Sequence, residues 1–203
     1  MIFSTEAVYD TLSLVSHLTE PLEGVRQPEV HLFAYLACVL SLYDGKPVAD
    51  WGYLFAGTAN GSPLSPALDA SIEQLEASGM LSVTDDLLTL SEIGKQEYGI
   101  QQGLSQNAWR EAYLTGACDS VLALPVGVLR DALSRESALD RAAQLATTRA
   151  LLEDSDLQTL YDQFGALSEA IGVQVKELMI PAVTWLSYLS RLPRREVVPS
   201  EVG

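Results

Sequence analysis

The feature that most constrains the fold is the order helix, hairpin, helix between residues 65 and 94. Ser65-Pro66 is typical of a helix N-terminus, and apolar residues at helical spacing follow until Ser78-Gly79 ends the helix. Two short runs of strand-forming residues then flank Asp85-Asp86, which predicts a hairpin with a tight turn. Ser91 caps a new helix. No other local pattern in the chain is as specific.

Helical periodicity precedes and follows this segment. It predicts a helix at about residues 5–19 that Glu20-Pro21 ends, a buried helix from Pro28 to Asp44, and a short helix at 48–55. Three helices followed by a helix, a hairpin and a return to helix is the order of a winged helix-turn-helix. Beyond Gly103 the patterns are purely helical, and the predicted helices cover residues 106–114, 126–134, 139–152, 156–167 and 173–192.

These patterns give the predicted fold class and domain organisation. We expect a mainly α protein with a winged helix-turn-helix N-terminal domain at residues 1–104 and an all-helical C-terminal domain at 105–193. Residues 194–203 are predicted to be a flexible tail. Because 48% of the residues are hydrophobic and only 19% are charged, the chain can bury a core and fold.

The charge distribution bears on the kind of partner. The 203 residues include 27 Asp and Glu against 12 Lys and Arg, so the net charge is −15. Residues 1–104 hold three basic and fourteen acidic side chains, a net charge of −11, and the remainder carries −4. The negative charge is therefore concentrated in the half whose pattern resembles a DNA-binding fold.

The predicted helix at 65–79 places Asp69, Glu73 and Glu76 on one face, and Asp85-Asp86 forms the hairpin tip. Affinity for DNA depends on Lys and Arg that displace counterions from the phosphates, and this helix has neither. We therefore expect no sequence-specific DNA binding through residues 65–79. Two interpretations of the acids stay open: a solvated helix face, or a contact surface for a basic partner protein.

No catalytic or metal-binding motif occurs. His17 and His31 lack metal-ligand spacing, and Cys38 and Cys118 are interpreted as reduced core residues. We predict no enzymatic activity, no cofactor and no metal. The first ten residues lack the pattern of a signal peptide, and no apolar run is long enough to cross a bilayer, so we expect a cytoplasmic protein without a membrane partner.

The last predicted helix carries a wide apolar surface. Its candidate contact residues are Leu178, Trp185, Tyr188, Leu189 and Leu192. Such a surface packs either against the other C-terminal helices or against another subunit, and both interpretations stay open.

Residues 28–98 resemble a known family. The segments are His31-Leu-Phe-Ala-Tyr-Leu, Ser65-Pro-Ala-Leu, Leu75-Glu-Ala-Ser-Gly-Met-Leu and Leu90-Ser-Glu-Ile-Gly94. They look like the small winged-helix accessory proteins of prokaryotic SMC-like systems and, more narrowly, the middle components of ABC-three-component defence systems, which include the small subunit of Lamassu. The resemblance implies a noncatalytic subunit that binds an SMC/Rad50-like ATPase and helps control an effector nuclease subunit.

Our leading hypothesis is a non-enzymatic adaptor subunit of a multiprotein complex, and the resemblance narrows this to an SMC-like antiviral defence complex. The alternative is a dimeric winged-helix transcriptional regulator whose C-terminal helices dimerise while a basic surface elsewhere meets DNA. A third possibility is an enzyme with an unrecognised helical site. A stripe of Arg130, Arg135, Arg141 and Arg149 on one surface would favour the regulator.

Overall fold

The computed structural model describes residues 4–172 and 177–193. The described chain is mainly α-helical, which confirms the predicted class. The helices are α1 Thr5–Leu22, α2 Gln27–Leu40, α3 Pro66–Ala77, α4 Glu92–Gln102, α5 Ala108–Asp119, α6 Val126–Leu133, α7 Ser137–Gln144, α8 Asp154–Ile171 and α9 Met179–Arg191. The strands are β1 Ala56–Gly57, β2 Pro63–Leu64, β3 Leu81–Thr84, β4 Leu87–Leu90 and β5 Arg149–Ala150.

The predicted hairpin forms from β3 and β4, which pair antiparallel with Thr84 opposite Leu87. The two linking residues, Asp85 and Asp86, have φ angles of 52° and 64°. Two consecutive left-handed residues are the requirement of a type I′ turn, which matches the twist of the flanking strands. Val25, between α1 and α2, pairs with Leu88, so β4 has a backbone partner on its other side.

The helices on either side of the hairpin start as predicted, with one difference. The Ser91 hydroxyl accepts a hydrogen bond from the Gly94 amide and so caps α4. Ser65 occupies the N-cap of α3, but its side chain makes no capping bond. A Cβ atom at Gly94 would lie 2.2 Å from the Met80 carbonyl oxygen, so only glycine allows α4 to begin this close to the hairpin.

Several predicted helix boundaries were wrong. The helices predicted at 106–114 and 156–167 run instead over Ala108–Asp119 and Asp154–Ile171. Helix α1 continues through Pro21 to Leu22 and ends where Glu23 adopts a left-handed conformation, because a proline in the last turn removes one hydrogen bond without stopping the helix. The segment 48–55 forms only a 3₁₀ turn at Val48–Trp51. The helix predicted at 139–152 ends at Gln144, and β5 beyond it pairs with β1, so the C-terminal half is not purely helical.

A single hydrophobic cluster contains residues from both sides of residue 104. Helix α2 is buried along almost its whole length and packs against α1 and α5. Helix α9 packs against α5, α6 and α8. Residues from both sides of the predicted boundary at 104 therefore share a core, and the predicted tail at 194–203 lies outside the described residues.

No single helix among the described residues is both long enough and apolar enough to cross a bilayer. By length and composition alone, the pair of helices at 108–122 and 126–133, which is bent by 117°, could form a broken span.

Candidate protein-binding surfaces

The three acids predicted to share the face of α3 are not equivalent. Asp69 is 33% exposed, and its Oδ1 accepts hydrogen bonds from His31 Nε2 at 2.8 Å and from Gln27 Nε2 at 2.7 Å. The hydrogen bond from His31 holds the pKa of Asp69 below its ordinary value. Glu73 and Glu76 are exposed and have no cation within ion-pair distance in the described chain. Only these two remain available to a partner.

His31 explains why Asp69 is engaged. The imidazole is buried, and its Nδ1 accepts a hydrogen bond of 3.2 Å from the Ser65 amide at the start of α3. The ring proton therefore lies on Nε2, which donates to Asp69. His31 joins α2 to the first turn of α3 and is a structural residue rather than a metal ligand.

The hairpin tip presents the remaining predicted acids. Asp85 and Asp86 are both exposed, and neither is paired with a described cation. Residues 65–91 contain no Lys or Arg. We call the four exposed carboxylates of Glu73, Glu76, Asp85 and Asp86 the acidic segment. It can attract a basic protein surface and repels phosphates.

The predicted contact residues of α9 are mostly inside this chain. Trp185 and Leu189 are buried, and Leu178 and Leu192 pack partly against the core. Trp185 Nε1 donates to Gln163 Oε1 at 2.8 Å. Tyr188, which is 48% exposed, is the member of the set left on the surface. Within this chain α9 is a core helix.

Tyr188 borders a groove between α8 and α9 with a volume of about 440 Å³. Its lining is formed by Asp162, Gln163, Ala166, Leu167, Ala170, Thr184, Trp185 and Tyr188. The groove is mainly apolar, and its lining includes Ala166, Leu167 and Ala170 of α8 and Trp185 of α9. This is the part of the predicted C-terminal surface that another chain can reach.

A buried ion pair that the sequence analysis missed joins α1 to α5. Asp10 is 0% exposed and Arg110 is 2% exposed. The guanidinium donates to both carboxylate oxygens, with Nη2 at 2.7 Å from Oδ2, and it stacks 3.9 Å from the centre of the Trp51 ring. Although burial opposes the charge, the Asp10 carboxylate holds the pKa of Arg110 above its ordinary value.

The neighbouring residue, Glu111, is the centre of a second network. Its carboxylate accepts hydrogen bonds from Tyr9 at 2.6 Å, Tyr98 at 2.6 Å, His17 at 2.8 Å and Ser13 at 2.9 Å. Burial opposes ionisation, but these donors outweigh it and lower the pKa of Glu111 to about 2. A carboxylate saturated with donors is a poor general base, and through these bonds Glu111 connects α1, α4 and α5.

The structure offers little for nucleophilic or metal chemistry. Burial raises the pKa of the thiols of Cys38 and Cys118, which keeps both in the unreactive protonated form. Cys118 lies near His17 beside a cavity of about 400 Å³ but makes no hydrogen bond with it in the described chain. Among residues 4–172 and 177–193, no group of three His, Cys, Asp or Glu side chains could hold a metal ion.

The arginines that could form a DNA-binding stripe are engaged within the chain. Arg130 lies 3.4 Å from Glu29, and Arg135 lies 2.6 Å from Asp131. Arg141 and Arg149 lie 3.7 Å and 3.4 Å from the carboxylate of Asp156. Arg135 also donates to the Ser190 and Leu192 carbonyls at the end of α9. Three carboxylates thus partner the four guanidiniums, since Arg141 and Arg149 share Asp156, and this pairing weakens them as phosphate ligands.

A cleft between α1, α3, α4 and α5 was also missed. Its acidic side chains, Glu6, Asp50 and Glu97, come from three distant segments, and its floor includes Arg110. No periodicity or motif connects positions this far apart, so the sequence offered no signal for the cleft.

Comparison with known proteins does not identify the chain, because no family model, curated protein or solved structure matches it significantly.

Proposed function

We propose that this chain is a non-enzymatic adaptor subunit of a multiprotein complex in the cytoplasm, and that its N-terminal half is a winged helix-turn-helix used for protein contacts. The order α1, α2, α3, β3, β4 supports the winged-helix arrangement, as does the pairing of Val25 with Leu88. A helix-turn-helix that reads DNA joins its two helices by a turn of about 3–4 residues. Here residues 41–65 separate α2 from α3, which favours a use other than DNA reading.

The acidic segment is the observation that carries the proposal. Glu73, Glu76, Asp85 and Asp86 lie exposed on the helix and hairpin that a DNA reader would place against phosphates. Their charges are not compensated by described cations, so they remain available to a basic partner. Complementary charge of this kind accelerates association and selects among partners.

Co-purification of the tagged chain from its native gene context tests the proposal. The test variant is Glu73→Lys/Glu76→Lys, which leaves the internally bonded Asp69 intact. The matched control is Glu20→Lys/Glu23→Lys, an equal charge reversal at the exposed end of α1. We expect the complex to be lost in the test variant and kept in the control at physiological salt. A complex that survives both changes means that the acidic segment is only a solvated surface.

The finer proposal follows the resemblance of residues 28–98. It names an SMC/Rad50-like ATPase and an effector nuclease subunit as the partners, in an antiviral defence complex. Mass spectrometry of the co-purified chains tests it, and so does the gene neighbourhood. Partners without an ATPase of that class would refute this assignment and leave the adaptor role intact.

Binding to duplex DNA distinguishes the adaptor from the regulator. Fluorescence anisotropy measures the affinity of the purified chain for duplex DNA. We expect no affinity of the kind that decreases steeply when the salt concentration rises from about 50 to 200 mM. A steep salt dependence would instead favour a dimeric transcriptional regulator, with the groove between α8 and α9 as its candidate dimer contact.

A further inference from the structure

The cleft bounded by α1, α3, α4 and α5 has a volume of about 740 Å³, within the usual range of ligand sites. Its polar and apolar lining side chains are interleaved. Helix α3 contributes Gln74 and Leu75, helix α4 contributes Glu97 and Ile100, and α5 contributes Trp109 and Arg110. Four helices therefore present an amphipathic surface at one place.

Three carboxylates in this cleft lack a counter-ion. Glu6, Asp50 and Glu97 have no cation within 4.0 Å in the described chain. Although partial burial opposes ionisation, hydrogen bonds from its own backbone amide and from the Ser4 hydroxyl hold the pKa of Glu6 below its ordinary value. The cleft is therefore negatively charged at neutral pH and suits a cationic ligand.

Arg110 lines the cleft without adding a net positive charge to it. Asp10 neutralises its guanidinium from within the core, and the guanidinium stacks 3.9 Å from the centre of the Trp51 ring. The charge that the cleft presents to a ligand is therefore that of its carboxylates.

Exposed apolar side chains border the carboxylates. Ile100 is 65% exposed and Leu104 is 44% exposed, and both line the cleft. Trp109, partly buried against the core, adds an aromatic surface whose ring also lies 5.2 Å from the Lys46 amine. An apolar rim next to unpaired acids complements a ligand that is both apolar and basic.

We propose that this cleft binds a short peptide segment of a protein partner, in which Lys or Arg residues lie among apolar ones. The basic side chains pair with Glu6, Asp50 and Glu97, and the apolar ones cover Ile100 and Leu104. This inference rests on the proposed protein-binding function. It adds a second binding surface, the cleft, and specifies the chemistry of the peptide that occupies this surface. The carboxylates exclude acidic peptides and phosphates.

Phage display of random 12-residue peptides on the full-length purified chain tests the inference. Enriched peptides are synthesised with a fluorophore, and their dissociation constants are measured by anisotropy. We expect enrichment of Lys or Arg among apolar residues. We also expect a weakening of about tenfold in Asp50→Asn/Glu97→Gln at low salt, since each exposed ion pair that is lost weakens binding by roughly threefold. Ile100→Ser should also weaken binding.

Matched controls lie outside the cleft. Glu76→Gln/Asp85→Asn removes two charges from the acidic segment, and Ile93→Ser removes a similarly exposed isoleucine from α4. Both should leave the dissociation constant unchanged. Three outcomes would overturn the proposal: enrichment of acidic or purely apolar peptides, no enrichment at all, or equal peptide affinities in the cleft variants and the control variants. The peptide assay uses the purified chain alone, so a negative result overturns only the peptide-binding cleft. The proposed adaptor function fails on a different result, which is survival of the native complex in Glu73→Lys/Glu76→Lys.

Discussion

Replacing Asp10 with alanine would leave the Arg110 guanidinium in the core without its counter-charge. In the folded chain neither side chain is more than 2% exposed, so water cannot replace the lost carboxylate. The Tyr53 hydroxyl, which donates to Asp10 at 2.5 Å, would lose its acceptor as well. The perturbation therefore leaves one charge and one hydroxyl unsatisfied.

The loss in the free energy of unfolding of Asp10→Ala follows from the burial of this pair. Removal of one partner from a buried, hydrogen-bonded ion pair lowers the free energy of unfolding by about 3–5 kcal/mol. A domain of this kind has a total free energy of unfolding of about 5–15 kcal/mol, so Asp10→Ala should unfold at a much lower urea concentration or fail to fold. Replacement of both partners, as in Asp10→Leu/Arg110→Met, should recover most of the loss because no charge is left buried.

Urea unfolding at pH 7, followed by far-UV circular dichroism, measures both effects. The control is Lys95→Ala, which breaks a pair with Glu92 in which the two side chains are 60% and 83% exposed. It should change the free energy of unfolding by less than about 0.5 kcal/mol. A loss below about 1 kcal/mol in Asp10→Ala would refute the argument that this pair holds α1 to α5. A double variant as unstable as the sum of the single variants would show that lost packing, not unpaired charge, dominates.

Three further predictions follow from other contacts. The pKa of Glu111 is lowered to about 2 in the folded chain, so the ionised carboxylate stabilises the fold fully above its ordinary pKa near 4.5, and this stabilisation is lost as the pH falls from 4.5 towards 2. Glu111→Gln should therefore make the free energy of unfolding depend less steeply on pH in this range, as measured by circular dichroism. Gly116→Ala places a Cβ atom 2.4 Å from the Leu178 Cβ and should cost about 1–3 kcal/mol in urea unfolding, partly recovered by adding Leu178→Gly, which removes that Cβ. Asp69→Asn should lower the melting temperature, whereas Glu73→Gln should not, because only Asp69 is hydrogen-bonded to His31.

Each of these has a contrary outcome. An acid transition of unchanged steepness in Glu111→Gln would mean that other carboxylates control acid unfolding. A Gly116→Ala chain as stable as the parent would show that α9 can move away from α5 at no cost. Equal melting temperatures for the Asp69 and Glu73 variants would contradict the distinction between a structural and a free acid on α3.

The sequence predicts α3 and the hairpin well because their signals are local. Asp85-Asp86 between two strand-forming runs is sufficient for a tight turn, and Ser91 is sufficient for a cap. The helix predicted at 139–152 fails for the opposite reason. Its residues favour a helix, but Ala146 adopts a left-handed φ of 48° and residues 149–150 pair with β1. Pairing with a segment about ninety residues away therefore overrides local propensity.

The candidate sites depend on still longer connections. Helical spacing correctly places Asp69 on α3, but its partner His31 lies 38 residues earlier. Periodicity alone therefore groups Asp69 with the unpaired acids Glu73 and Glu76. Asp10 and Arg110 are 100 residues apart. Nothing in the composition distinguishes an acid that pairs in the core from one that remains in water.

Arg110 and Glu111 are adjacent on α5 and both hold α1, one through Asp10 and the other through Tyr9, Ser13 and His17. This double attachment fixes the floor of the cleft before any partner arrives, and a preformed surface loses less conformational entropy on binding. The side chains at the rim contribute to neither network. Rim variants should therefore change affinity without changing stability, while Asp10 variants change stability first, so the two sets of substitutions separate binding from folding.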